Sequence, residues 1–417
     1  MTRTAKYHVQ PVGNGNQGYF DKGGDQVDRG YAWAICATAG LIYTITDGVS
    51  FSTGVLFPEF MSYYSSPANE AAWISSLMFG AMLLSGPLIG VLISRFGARV
   101  VGFVGSLLAA GGMVASFWAP NVYYLMGTLG VLTGLGYGCI MLAALTSVTF
   151  WFDAKRGFAF GLAVVISGLG TFVISLLTAF LLDHYGLHGA LLILAGVSLQ
   201  GCILALLLRP APKHLPEPLS HYPKKHFDPA MFKRVKFDIF LLACLIFATG
   251  YFPIFMFVTS WAEQVLQLNA VDAAAFLTII AVAQLAGRMV CAVLIDRTWV
   301  NKSFLLAGAL WCGGAAACLS LYCTTYKTAV MFCCVYGFGG GCAMVGLPML
   351  TPLLVTKEQT EVASGFFVFA FGVSALLGLP AAGAVVEYLQ GDFRWLMVGS
   401  GGLICAGSFV VAAIECH

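Results

Sequence analysis

The chain has 417 residues, of which 59% are hydrophobic and only 10% charged, with a formal net charge of +2 and a mean hydropathy of +0.86. A soluble domain carries about 25% charged residues, so this composition excludes a soluble fold, intrinsic disorder and a disulfide scaffold. It also leaves no basic field for collecting nucleic-acid phosphates, so lipid is the main solvent and function must be read from where the few charges fall.

Residues 1–29 are polar and glycine-rich and lack an apolar h-region, which predicts a disordered cytoplasmic tail and no cleaved signal peptide. Apolar runs of the size needed to cross the hydrocarbon, about 20 residues, then recur. The first six cover 31–60, 71–93, 100–118, 122–151, 157–182 and 190–208. A basic, proline-rich linker occupies residues 209–237, and six more runs follow at 240–266, 273–295, 304–323, 329–355, 363–386 and 395–414. The pattern predicts an all-α integral membrane protein with twelve transmembrane helices in two six-helix pseudo-repeats, residues 30–208 and 238–417.

Cytoplasmic loops hold the excess of Lys and Arg. With the N-terminus inside, that side receives Arg95, Arg99, Lys155, Arg156, Arg297 and Lys302 as well as the basic linker, while the opposite side receives only Lys327 and Arg394. Twelve crossings with both termini cytoplasmic satisfy this asymmetry, and they place the sequon at Asn301 inside, where no glycan is expected. Most of the 13 cysteines lie in apolar runs and act as small hydrophobes. They show no metal-ligand spacing, and no metal or cofactor is expected.

The short loops after the second and eighth spans echo each other, with GVLISRFGAR at 90–99 and AVLIDRTWVNK at 292–302. Both resemble the short-loop motif of the major facilitator superfamily. The first copy matches at Gly90, Arg95, Gly97 and Arg99 but has Ser94 where the motif has an acid; the second keeps Asp296 and Arg297 and loses the glycines. In that superfamily these residues latch neighbouring helices at the cytoplasmic side, although ordinary positive-inside charge explains them equally well.

Two further segments are similar to motifs of the monocarboxylate transporter family. DRGYAWAIC, at 28–36, shares Asp28, Gly30 and Trp33 with the first and departs at Arg29. FWFDAKRGFAFGLAVVISGLGTF, at 150–172, shares Trp151, Phe152, Lys155, Arg156, Ala159, Gly161, Ala163, Gly168 and Gly170 with the second. The glycines permit close helix approach and sliding, or plain packing. Gating roles at Asp28, Gly30, Trp33, Arg95, Arg99, Arg156, Gly161, Asp296 and Arg297 follow from the resemblance.

Charge at mid-membrane costs about 2.5–3.5 kcal/mol even on insertion scales, so Asp47 in the first span and Arg288 in the eighth are the leading functional residues. Asp47 shares a helical face with Tyr43 and Phe51, and Arg288 shares one with Gln284. The resemblance implies that Arg288 binds a substrate carboxylate, a task suited to its forked guanidinium. Proton-linked members have an aspartate and a lysine where this chain has Gln284 and Phe51, which favours larger or zwitterionic solutes. Asp47 is then a proton site, a contact for a cationic group, or a structural ion-pair partner of Arg288. Two readings compete for the aromatic run Tyr251, Phe252, Phe255 and Phe257: lining a cavity and, the favoured one, packing against lipid.

No HExxH, GxSxG or P-loop pattern occurs, so neither an enzyme nor an ATP-driven pump is expected. The resemblance implies a symporter or uniporter of the plasma membrane, small carboxylate solutes, protons as candidate co-substrates, and a single-span glycoprotein chaperone. The competing reading is a non-transporting receptor or scaffold of the same fold.

Overall fold

The computed structural model describes residues 28–66, 68–153, 155–209, 235–268, 270–297, 299–356, 359–389 and 392–413. The expectations for the tail before Asp28 and for most of the linker lie outside these residues. Among the described residues the fold is entirely helical: α1 (Tyr31–Tyr64), α2 (Ala68–Leu84), α3 (Gly86–Phe96), α4 (Ala98–Ser116), α5 (Val122–Leu125), a π-helical stretch (Met126–Leu132), α6 (Thr133–Trp151), α7 (Arg156–Leu207), α8 (Val235–Leu266), α9 (Ala270–Leu294), α10 (Lys302–Leu319), α11 (Tyr326–Leu354), α12 (Thr360–Tyr388) and α13 (Phe393–Ala413).

Local sequence explains the ends. The Asn121 side chain accepts the Tyr124 amide at 2.8 Å, and Asn301 accepts those of Ser303 and Phe304, so two helices begin on side-chain caps. Asn301, the residue of the sequon, is thereby engaged in capping α10. Thr325 and Thr328 form a reciprocal box at the start of α11.

Among the described residues ten helices are long and apolar enough to cross a membrane, and the count reaches eleven spans if Trp73–Leu84 and Gly86–Phe96, bent by 46°, make one. The bend falls at Ser85, where Pro87 in the first turn of α3 cannot donate an amide to the preceding turn. The 52-residue α7 covers two of the expected runs at once. At 1.5 Å per residue it would extend about 78 Å, more than twice a hydrocarbon core. Its break is Gly186, whose φ of 65° is a backbone state that residues with a Cβ rarely adopt.

Helices before residue 209 pack chiefly among themselves, as do those after 235. The two sets meet along α2 and α3 against α12 and along α7 against α9. Small residues set these distances. A Cβ on Gly86 or Gly365 would strike the other's backbone, and one on Gly161 would strike Ala292. The aromatic run of α8 faces inward, contrary to the lipid-facing expectation: Tyr251 is 5% exposed, and Phe252, Phe255 and Phe257 pack against the core. An all-apolar span has no polar face to announce its orientation, which is why the sequence misleads here.

Candidate functional site

Three helices converge on the two mid-span charges. Asp47 projects from α1, and its Oδ2 accepts a hydrogen bond from the Ser167 hydroxyl of α7 at 2.6 Å. Arg288 projects from α9, and its Nη1 donates to the Val164 carbonyl, one turn earlier on α7, at 3.1 Å. A single turn of α7 therefore holds both groups. Gly168 supplies the space, since a Cβ there would lie 3.2 Å from Arg288 Nη1. Of the three roles open to Asp47, the direct ion pair is not formed: no oxygen of Asp47 lies within 4.0 Å of the guanidinium, although the two charges interact electrostatically.

Both charged groups keep unused bonding capacity. Arg288 Nε is sealed from water with no hydrogen-bond partner, and Nη2 makes no hydrogen bond. These two nitrogens form the side-on edge of the guanidinium, the edge that grips both oxygens of a carboxylate. The Oδ1 of Asp47 has no protein partner either, and the residue is half-buried.

The remaining residues expected here divide. Gln284 is buried one turn from Arg288 and donates to the Tyr251 hydroxyl. Tyr43 is buried and packs edge-on against Phe160 of α7, while Phe51 is half exposed and leans on Phe79 of α2. Sequence reasoning missed Ser167 and the Val164 carbonyl, and it weighed Tyr251 toward lipid over a cavity. Tyr251 is stacked between Phe247 and Tyr336 and lies within electrostatic range of Arg288. A serine inside a glycine-rich motif and a backbone carbonyl carry no sequence signal of their own.

The motif residues assemble at the end of the bundle that carries Arg95 and Arg297. Asp28 Oδ1 accepts the amides of Asp153 and Lys155, Trp33 packs edge-on against Phe152 and Phe158, and Tyr31 packs on Trp151. The two family-like motifs thus clasp each other. Gly30, with a φ of 55°, turns the chain into α1 beneath this clasp. Arg156 pairs with Asp153 at 3.5 Å and donates to the Phe152 carbonyl.

Asp296 crosses between the two helix sets. Its oxygens accept the amides of Gly157 at 2.9 Å and Phe158 at 2.7 Å, capping the N-terminus of α7 where the helix dipole favours a negative charge. Partial burial pushes its carboxyl above the ordinary value, against the pull of those two amides and of Lys302. Arg297 is exposed, Arg95 lies over the Phe96 ring of its own helix, and Arg99 is exposed. Ser94, standing where Asp296 stands in the other copy, bonds only the Val91 carbonyl of its own helix.

The Major Facilitator Superfamily model matches residues 39–379. Among curated proteins, human monocarboxylate transporter 11 is 30% identical over 92% of this chain and 83% of its own. Chicken (Gallus gallus) monocarboxylate transporter 4 is 29% identical over 93% of this chain and 81% of its own. The chain belongs to the monocarboxylate transporter family of the major facilitator superfamily. The orang-utan (Pongo abelii) monocarboxylate transporter 9 is 25% identical over 92% of both chains. Among solved structures, the E. coli fucose:proton symporter superposes with a TM-score of 0.75 at 16% identity, covering 92% of this transporter and 99% of that chain. The likeness concerns the fold alone.

Proposed function

We propose that this transporter moves small carboxylate-bearing solutes, monocarboxylates or related zwitterions, across the plasma membrane by alternating access between two six-helix halves, residues 30–208 and 238–417. The reading counts the bent α2–α3 pair as one span and divides α7 at Gly186, for twelve crossings; an even number leaves both termini on one side, which the positive-inside asymmetry supports as the cytoplasm. On this reading the end bearing Arg95 and Asp296 is cytoplasmic and is held together in the state described by the Asp296 cap and the glycine contacts.

The observation that carries the reading is the unpartnered edge of Arg288. A buried donor without a partner costs about 1–3 kcal/mol, and a carboxylate laid against Nε and Nη2 recovers that cost while the Val164 carbonyl steadies the other nitrogen. Asp47, with Oδ1 free, is the site for a proton or for a cationic group of the solute. Gln284 and Phe51 stand where the family's proton-linked members have ionisable residues, which weighs toward zwitterions. To switch, the halves part at the cytoplasmic end by breaking the Asp296 cap and the glycine contacts. A single-span glycoprotein companion, common in the family, is part of the proposal.

The test is saturable uptake of labelled lactate, pyruvate, an aromatic amino acid, creatine and carnitine into cells expressing the protein, each competed with its own neutral amide. Competition by the free acid and not by the amide is expected. Equal competition by the amide removes the carboxylate contact, and no saturable uptake of any compound returns the receptor or scaffold reading.

A further inference from the structure

We infer that Tyr251 is a solute-binding residue whose hydroxyl donates to the carboxylate held by Arg288, and that Gln284 is the positioning residue that leaves this proton free to do so. The inference deepens the reading of Arg288 as the carboxylate contact and rests on it.

The Tyr251 ring has little freedom. It is stacked between Phe247 of its own helix, with centroids 5.3 Å apart, and Tyr336 of α11, at 5.5 Å. A Cβ on Gly340 would lie 2.6 Å from the ring, so this glycine lets α11 close over it. The Tyr336 hydroxyl donates to the Tyr251 carbonyl at 2.7 Å and ties the same two helices again. These contacts decide where the Tyr251 hydroxyl sits, and it sits within electrostatic range of the Arg288 guanidinium.

A tyrosine hydroxyl offers one proton and accepts through its oxygen. Gln284, one turn before Arg288 on α9, donates its side-chain amide to that oxygen, so the acceptor is used and the proton finds no acceptor among the described residues. Around it the imbalance repeats. Arg288 Nε is sealed without a partner and Nη2 makes no hydrogen bond, while the nearby carboxylate, Asp47, takes its hydrogen bond from Ser167. Unspent donors from α8 and α9 thus gather at one place, an arrangement that an anion completes. A carboxylate has about four lone-pair sites, enough for the guanidinium edge and for a hydroxyl besides. Gln284 contributes without touching the solute, because donation to the Tyr251 oxygen polarises the O–H bond that donates onward.

The test uses the full-length protein in lipid nanodiscs and isotope-labelled formate, the smallest carboxylate, whose infrared band reports the bound fraction. The wild type is expected to bind formate saturably and to ignore formamide, with a tyrosine C–O stretching band that shifts as the site fills. Tyr251→Phe, which keeps the ring and its stacking, abolishes that shift and weakens formate binding about tenfold, the low end for a hydrogen bond to a charged group. Tyr336→Phe, which loosens the same ring and spares its hydroxyl, keeps the shift, so a packing defect is told apart from a lost donor. Gln284→Met weakens binding by less and adds nothing in the Tyr251→Phe background, because its effect passes through the hydroxyl; an additive effect there removes the positioning role. Formate binding unmoved in Tyr251→Phe, or a tyrosine shift that survives that substitution, overturns the inference. Arg288→Ala separates it from the reading beneath it. Wild-type formate binding in that variant, or no saturable binding by the wild type, means that the carboxylate contact itself is wrong, whereas loss in Arg288→Ala beside unmoved binding in Tyr251→Phe removes only the role of Tyr251.

Discussion

The helix sets before residue 209 and after 235 meet along two interfaces that are built from different chemistry. Where α3 meets α12, backbone lies on backbone: Gly86 faces Gly365, Gly90 faces the Glu361 carbonyl, and Ser94 bonds only its own helix. Where α7 meets α9, the glycines at 157, 161 and 168 face Ile295, Ala292 and Arg288, and two polar contacts are added, the Asp296 cap and the bond from Arg288 to Val164. The loop that keeps the motif's acid is the one that makes a polar latch. The helix that carries Ser94 in place of that acid relies on close packing, so two matched loops serve two different kinds of contact.

If that contrast is right, the two interfaces fail differently. Gly86→Ala drives a methyl group into the Gly365 carbonyl, and overpacking of this kind costs about 1–3 kcal/mol. It should shift the closed state toward opening about tenfold or more, seen as faster hydrogen exchange at the ends of α3 and α12. Unchanged exchange there would mean the glycine contact is not what seals this end. Gly168→Ala is milder, because its Cβ would sit 3.2 Å from a movable Arg288 nitrogen. A rise in KM of severalfold with surface expression intact is expected, and an unaltered KM would show that Arg288 does not need this space.

The smallest effect concerns pH. Asp296 has a raised pKa when docked, so the docked state holds a proton more readily than an exposed aspartate does. Docking therefore gains as cytoplasmic pH falls through the raised value and loses as pH rises through it. Protection of the Gly157 and Phe158 amides, corrected for intrinsic exchange, should be slightly greater at pH 5 than at pH 7 in the wild type and flat in Asp296→Asn.

Much of this frame was legible in the sequence. The run lengths, the two matched loops and the two motifs indicate an all-helical membrane fold, and the spacing of Gly161, Gly168 and Gly170 predicts close helix approach; the first two face α9. Gly170 makes its close approach to Thr44 of α1. The clasp of Asp28 and Trp33 on the second motif was not legible, because the motifs lie more than a hundred residues apart and only the folded bundle brings them together. Asp47 and Arg288 stood out because charge is costly in lipid, while the α7 turn between them stayed hidden in a backbone carbonyl and a small hydroxyl.

The most direct test of the account is uptake of the panel solutes by the wild type and by Arg288→Ala and Arg288→Lys at matched surface expression. The account predicts that Arg288→Ala abolishes saturable uptake and that Arg288→Lys, which keeps the charge but loses the fork, restores little of it. Wild-type transport in Arg288→Ala would contradict the assignment of the carboxylate to this residue.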